Sequence, residues 1–351
     1  MENLLRKNIS ALIEKNKKEK TIASENYLRL DGDENAFGSP LANNYHRRNH
    51  GLDKKIIEQI SVIKGVPTAN IFLGNSNEAF VSALIMAFCE PNQDNILVCP
   101  PTADYFSQIA DIQGVGINKA LLGSNYQLDI EGVAGSIDDF TKIIFLCSPN
   151  TPTGNSMAHD DVEVILNNFD GLVVVDETFI HYARQRSFSY DIKNYPNLVV
   201  LQNFDIAWAA AGLNIAMAFC SEKTIEILNA TMPKHGVSQA SLEVLEEMIG
   251  QIDQINQWTK DTVMLKNYMV EKLLKLPFIQ KIYPSETNFL LVRFNFNTEK
   301  IHSYLLENQI LTQNCHHIIL CENCLKIRVG TLQENEYLIK VVEKLSLSSH
   351  I

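Results

Sequence analysis

The stretch "KIIFLCSPNTPTGN" (residues 142–155) decides the architecture. Ile143 to Cys147 form an unbroken apolar run, and a turn rich in proline and glycine follows it. A strand that is apolar at successive positions is covered on both faces. The Pro/Gly turn ends it sharply. A helical pattern, "DDVEVILNNF" (160–169), comes next. Strand, turn and helix in that order are the unit of a parallel crossover.

The same unit recurs on both sides. "NILVC" (95–99) precedes "ADYFSQIADI" (103–112), and "GLVVVDE" (171–177) and "NLVVLQN" (197–203) follow. "GLDKKIIEQISVIKGV" (51–66) has apolar residues at helical spacing and a glycine stop at Gly65. The sequence therefore predicts an α/β fold with a mostly parallel sheet covered by helices on both faces. Such sheets bind ligands beyond the carboxyl ends of their strands. Residues 99–103, 148–154, Asp176 and 203–206 then share one rim. From residue 221 helical periodicity runs to about 274, followed by "NFLLVRF" (288–294), "EKIHSYLLEN" (299–308), "CLKIRVGT" (324–331) and a last helix from Gln333. These elements predict a smaller α+β unit. The chain divides into an N-terminal arm with part of the small unit (1–48), a large α/β unit (49–250) and the small C-terminal α+β unit (251–351).

Composition narrows the function classes. A formal charge of −11 and a pI near 5.3 argue against nucleic acid, which calls for a basic face. The basic run "KNKKEK" (15–20) reads as a solvated helix end. No apolar run reaches the roughly 18 residues of a membrane span. The amphipathic N-terminus lacks the apolar core and cleavage site of a signal peptide. The expectation is a soluble cytoplasmic protein with no membrane partner. Seven cysteines without regular spacing, several in apolar runs, suit a reducing compartment. "CHHIILCENC" offers Cys315, His316, His317, Cys321 and Cys324 in zinc-like chemistry. The plainer reading is a tight turn between strands, and no metal is expected.

Several motifs occur in order along nearly the whole chain: "LDGDENAFGSP" (30–40), "IFLGNSNEAF" (71–80), "CPPTADYF" (99–106), "SPNTPTGN" (148–155), "VVVDETF" (173–179), "YPSETNFLLVRF" (283–294) and "LKIRVGTLQENE" (325–336). Together they make the chain resemble the fold-type-I aminotransferases that use pyridoxal phosphate, and among them the histidinol-phosphate aminotransferase family. The resemblance implies a seven-stranded-type sheet and a homodimer with shared active sites. It also implies a lysine that forms an imine with the cofactor and then moves protons.

Matched position by position, the resemblance places Ile206 where that lysine belongs. No catalytic residue is assigned, because isoleucine can neither form an imine nor carry a proton. The phosphate arginine falls at Asn214, and Asp205 precedes the lysine position. The phosphate loop reads as shortened to "GNSNEA", so that Ser76 and Asn77 cannot both keep their family roles. The partners of the ring hydroxyl fall at Thr151 and Phe179, and the stacking tyrosine falls at Ala103, beside Asp104. The tyrosine that reaches the neighbouring subunit's phosphate falls at Arg48. On the substrate side stand Asn35, Gln313 and Lys326, with Arg328 two residues on. Asp176, which pairs with the pyridine nitrogen in the family, is retained.

The expectation is thus an aminotransferase homologue that is not a working transaminase. It would be a pseudoenzyme, or one subunit of a homodimer or of a heterodimer with an active paralogue. It is expected to take no cofactor, with pyridoxal phosphate as the alternative. A second reading is a repurposed cleft for a small amine or phosphorylated metabolite, using Arg48, Asp104, Tyr105, Asp176 and Asp205 with His46 and His50 nearby. A third is an atypical transaminase that works with the aldehyde or amine form of the cofactor, its lysine drawn from elsewhere. Lys193 and Lys223 are the nearest in sequence. The turn itself is expected to persist because Ala207, Ala209, Ala210 and Ala211 let it pass close to its neighbours.

Overall fold

A computed structural model describes residues 4–18, 33–41, 45–46, 51–233 and 236–347. The apolar runs form the expected sheet. Its strands are β1 (Ile71–Gly74), β2 (Asn95–Val98), β3 (Gly116–Lys119), β4 (Thr141–Cys147), β5 (Leu172–Asp176), β6 (Leu198–Asn203) and β7 (Ala216–Cys220). They lie in the order β1-β7-β6-β5-β4-β2-β3. The five strands from β6 to β3 in that order pair in parallel, while β7 is antiparallel to both its neighbours.

The period of two explains why both faces are dry. On β5, Val173 and Val175 enter one core while Leu172 and Val174 enter the other. Each such side chain contributes about 1.5–3 kcal/mol when fully buried. Helices α2 (Leu52–Lys64), α3 (Asn77–Phe88), α4 (Tyr105–Ile112), α5 (Ile130–Ser136), α6 (His159–Asn168), α7 (Glu222–Thr231) and α8 (Gln239–Ile249) connect or follow these strands. Gly65 ends α2 in the left-handed region, at φ 64, as its place in the sequence predicts. The edge strand β3, "GINK", carries no apolar run, and its residues are exposed or half-buried.

The second sheet has the order β10-β11-β9-β8, from β8 (Ile279–Ile282), β9 (Phe289–Phe294), β10 (Gln313–Asn314) and β11 (Cys324–Arg328). It packs with α9 (Ile252–Leu273), α10 (Thr298–Glu307) and α11 (Leu332–Leu347) around Leu290, Val292, Leu325 and Ile327. Its other face joins the large unit through Leu291, Tyr283 and Cys324. Tyr126 seals that junction, its hydroxyl donating to the Leu320 carbonyl at 2.8 Å. The N-terminal helix α1 (Lys7–Lys18) lies against α7, with Ile9 in a core of the large sheet.

The segment "CENC" turns, Cys324 N–H donating to the Cys321 carbonyl at 3.1 Å, and opens β11. Cys315, Cys321 and Cys324 are all buried, and burial pushes their thiols up. Among the described residues no group of three or more His, Cys, Asp or Glu side chains could hold a metal ion. No described helix is long and apolar enough to cross a membrane.

Candidate functional site

Parallel strands end together, so their last residues meet at one edge. At that edge Asp176 closes β5 with its side chain almost wholly buried. Burial raises its pKa, against the hydrogen bonds that favour the charged form. Those bonds are numerous. Oδ1 accepts from Asn77 Nδ2 at 3.0 Å, from Thr178 N–H at 2.9 Å and from Thr178 Oγ1 at 2.7 Å. Oδ2 accepts from the Tyr105 hydroxyl at 2.9 Å. A carboxylate has about four acceptor sites, so the chain itself fills Asp176.

Asn77 opens α3 and also donates to Thr178 Oγ1 at 3.0 Å, while its own Oδ1 is buried without a partner. Asn203, at the end of β6, donates to the same Thr178 oxygen at 3.1 Å. Ser76 is the N-cap of α3, its Oγ accepting from Ala79 N–H at 3.2 Å. The strand–helix turn at 74–77 therefore places both side chains at one helix end. Ser76 is committed to the cap and Asn77 to the carboxylate.

The turn after β6 carries Asp205 and Ile206, both half-buried. Asp205 has its carboxyl pKa raised by burial and by Glu78, and its Oδ1 is buried without a partner. No lysine or arginine among the described residues pairs with Glu78, Asp176 or Asp205. The alanine reading holds only in part. Ala207 and Ala210 are buried, but Ala209 and Ala211 are exposed, with Ala209 at φ 55. Trp208 is what anchors the turn. It is 1% exposed, it stacks edge-on to Phe204, and its Nε1 donates to His181 at 3.3 Å. Lys64 Nζ meets the same imidazole nitrogen at 3.1 Å. Burial lowers the Lys64 pKa to about 8 and raises that of Glu177, which accepts from Gln202 Nε2 on β6 at 2.8 Å, to about 7.

Across the cleft, Thr151 Oγ1 accepts from Lys326 Nζ at 2.9 Å. The Phe179 ring stands edge-on to Phe289, 5.3 Å between centres. These contacts join the large sheet's edge to β9 and β11. The remaining sequence candidates do not gather there. Asp104 is exposed ahead of α4, and Ala103 packs with the apolar core beside Tyr105. Asn214 is exposed in the left-handed region at φ 52. Gln313 is exposed on β10, and Arg328 turns outward to Glu334 at 4.0 Å. Asn35 caps a local turn, its Oδ1 accepting from Phe37 N–H at 2.9 Å. Arg48 and His50 lie outside the described residues. Lys193 is exposed in the segment before β6, and Lys223 lies in the first turn of α7. The sequence reading named Tyr105 only as a rim residue and missed Thr178. Only the fold brings the two to Asp176.

The family "Aminotransferase class I and II" matches residues 11–342. Histidinol-phosphate aminotransferase from Cytophaga hutchinsonii is 35% identical over 98% of this chain and 98% of its own length. The enzyme of that name from Bacteroides thetaiotaomicron is 36% identical over 90% of each. Among solved structures, histidinol-phosphate aminotransferase from Clostridium acetobutylicum superposes with a TM-score of 0.76 at 20% identity, covering 87% of this chain and 92% of that one. The counterpart from Sinorhizobium meliloti, solved in complex with pyridoxal-5'-phosphate, gives 0.78 at 15% identity, covering 89% and 90%. These findings overturn the expectation that no cofactor is taken: family and solved relative both point to pyridoxal phosphate. The expectation rested on the replaced side chains of the cofactor shell, whereas the family match runs over residues 11–342.

Proposed function

The chain belongs to the class I and II aminotransferase family, and from that premise we propose a histidinol-phosphate-aminotransferase-like protein that holds pyridoxal phosphate but has lost the family's route of amino-group transfer. The observation that carries this reading is Ile206 in the turn after β6, at the position the resemblance gives to the imine-forming lysine. A hydrocarbon there removes both the covalent anchor and the proton carrier. General acid–base catalysis alone is worth about 10²–10⁴-fold.

The residues present fit the cofactor at two points. Asp176 is a buried carboxylate whose Oδ2 holds a single strong donor, the Tyr105 phenol, which a protonated ring nitrogen can displace. The amino end of α3 suits a phosphate, since the first amides of a helix lack acceptors within it. Bound there, the cofactor would supply an aldehyde and an electron-accepting ring. Asp176 would balance charge on the ring nitrogen. Phe179 and Phe289 would exclude water from one wall of the cleft. The acidic neighbours Glu78 and Asp205 favour only modest affinity for a phosphate dianion.

The same proposal keeps the division at 1–48, 49–250 and 251–351, a dimer with a second copy or an active relative, and a cytoplasmic setting consistent with seven buried free thiols. The test supplies pyridoxal phosphate with histidinol phosphate and 2-oxoglutarate and follows glutamate. No product above background is expected. Turnover in the ordinary enzyme range, about 1–10³ s⁻¹, would sink the reading.

A further inference from the structure

Lys326 sits on β11 between Leu325 and Ile327, both of which enter the small unit's core. Alternation along a strand sends its side chain to the opposite face, toward the cleft. There Nζ is held at two points. It donates to Thr151 Oγ1 at 2.9 Å, and it lies 4.3 Å from the centre of the Phe289 ring. Thr151 belongs to the turn after β4, and Phe289 meets Phe179, three residues beyond Asp176. The amine thereby meets the turn that follows β4 and lies beside a ring in contact with the segment that follows β5. It forms no ion pair among the described residues.

Other buried lysines are engaged elsewhere. Lys266 Nζ donates to the Ser285 and Thr287 carbonyls, both at 2.7 Å. Lys64 Nζ lies 3.1 Å from His181 Nε2, which also accepts from Trp208 Nε1 at 3.3 Å.

We infer that Lys326, reaching from the small sheet, is the amine of this cleft that combines with the aldehyde of pyridoxal phosphate. The inference rests on the reading that the cleft takes that cofactor. The amine lone pair attacks the aldehyde carbon. A carbon–nitrogen double bond replaces the carbonyl, and the oxygen departs as water with the two amine hydrogens. Only the neutral amine reacts, and burial lowers the Lys326 pKa, enlarging that fraction near neutrality. Thr151 orients the amine, and the Phe289 ring keeps water from one side of it. The covalent handle has thus moved from a turn of the large unit to a strand of the small one.

The full chain is mixed with an equimolar amount of pyridoxal phosphate, reduced with borohydride, digested and mapped by mass spectrometry. Parallel equilibrium dialysis measures cofactor retention without reduction. The expected result is one phosphopyridoxyl group, on the peptide that contains Lys326. Lys326→Arg should lose that adduct while retaining cofactor in dialysis and an unchanged circular dichroism spectrum. Retention without any adduct, or an adduct on another lysine, overturns the inference and leaves the proposed function standing. An absence of retention overturns both. A Lys193→Ala control that abolished the adduct would also count against Lys326.

Discussion

Asp176 concentrates the chemistry at the scale of single residues. Buried carboxylates are costly unless donors surround them, and here Asn77, Thr178 and Tyr105 do so. Tyr105→Phe should therefore lower stability by about 1–3 kcal/mol, read from urea unfolding, because Oδ2 loses its strong donor. Added pyridoxal phosphate should then recover part of the loss, since the vacated oxygen is open to a ring N–H. Equal stability of the two proteins without ligand would mean that the phenol contributes nothing to the carboxylate. Asp176 was legible in the sequence because it closes the Val-rich run "VVVDETF". Its donors were not, because they come from α3, α4 and the residues after β5, brought together only by the sheet.

At the scale of elements, the turn after β6 is held by its apolar base. Phe204, Ala207, Trp208 and Ala210 are buried, whereas Asp205 and Ile206 are only half-buried. Trp208→Ala should cost about 3–5 kcal/mol in the same unfolding measurement. Ile206→Ala, on the half-buried side, should cost much less. Equal costs would show that the turn has no such base. Elements were the most legible level. The run "KIIFLC" became β4, and "NFLLVRF" became β9. The weak β3 escaped because it carries no apolar run. The alanine run misled because small size does not say which way a side chain faces. The left-handed backbone at Ala209 turns that residue outward.

For the whole molecule, the exposed apolar surface supports association. Phe37 is fully exposed, Leu41 is 64% exposed, and Val62 on α2 is 85% exposed. Scattered apolar residues are ordinary on a surface, but Phe37 and Leu41 stand close in sequence on the segment before α2. Sedimentation of the 39.6 kDa chain at micromolar concentration should give a dimer, and Phe37→Glu should weaken it. A monomer at every concentration would remove the dimer from the proposal.

The sequence by itself determined the layered α/β architecture, the family and the isoleucine at 206, because periodicity, turn residues and side-chain identity are local properties. Only the tertiary structure decided that Tyr105 fills the carboxylate of Asp176 and that Lys326 reaches Thr151 from 175 residues away. Contacts of that span depend on how two sheets meet. No window along the chain records that, because burial and distance are properties of the packed whole.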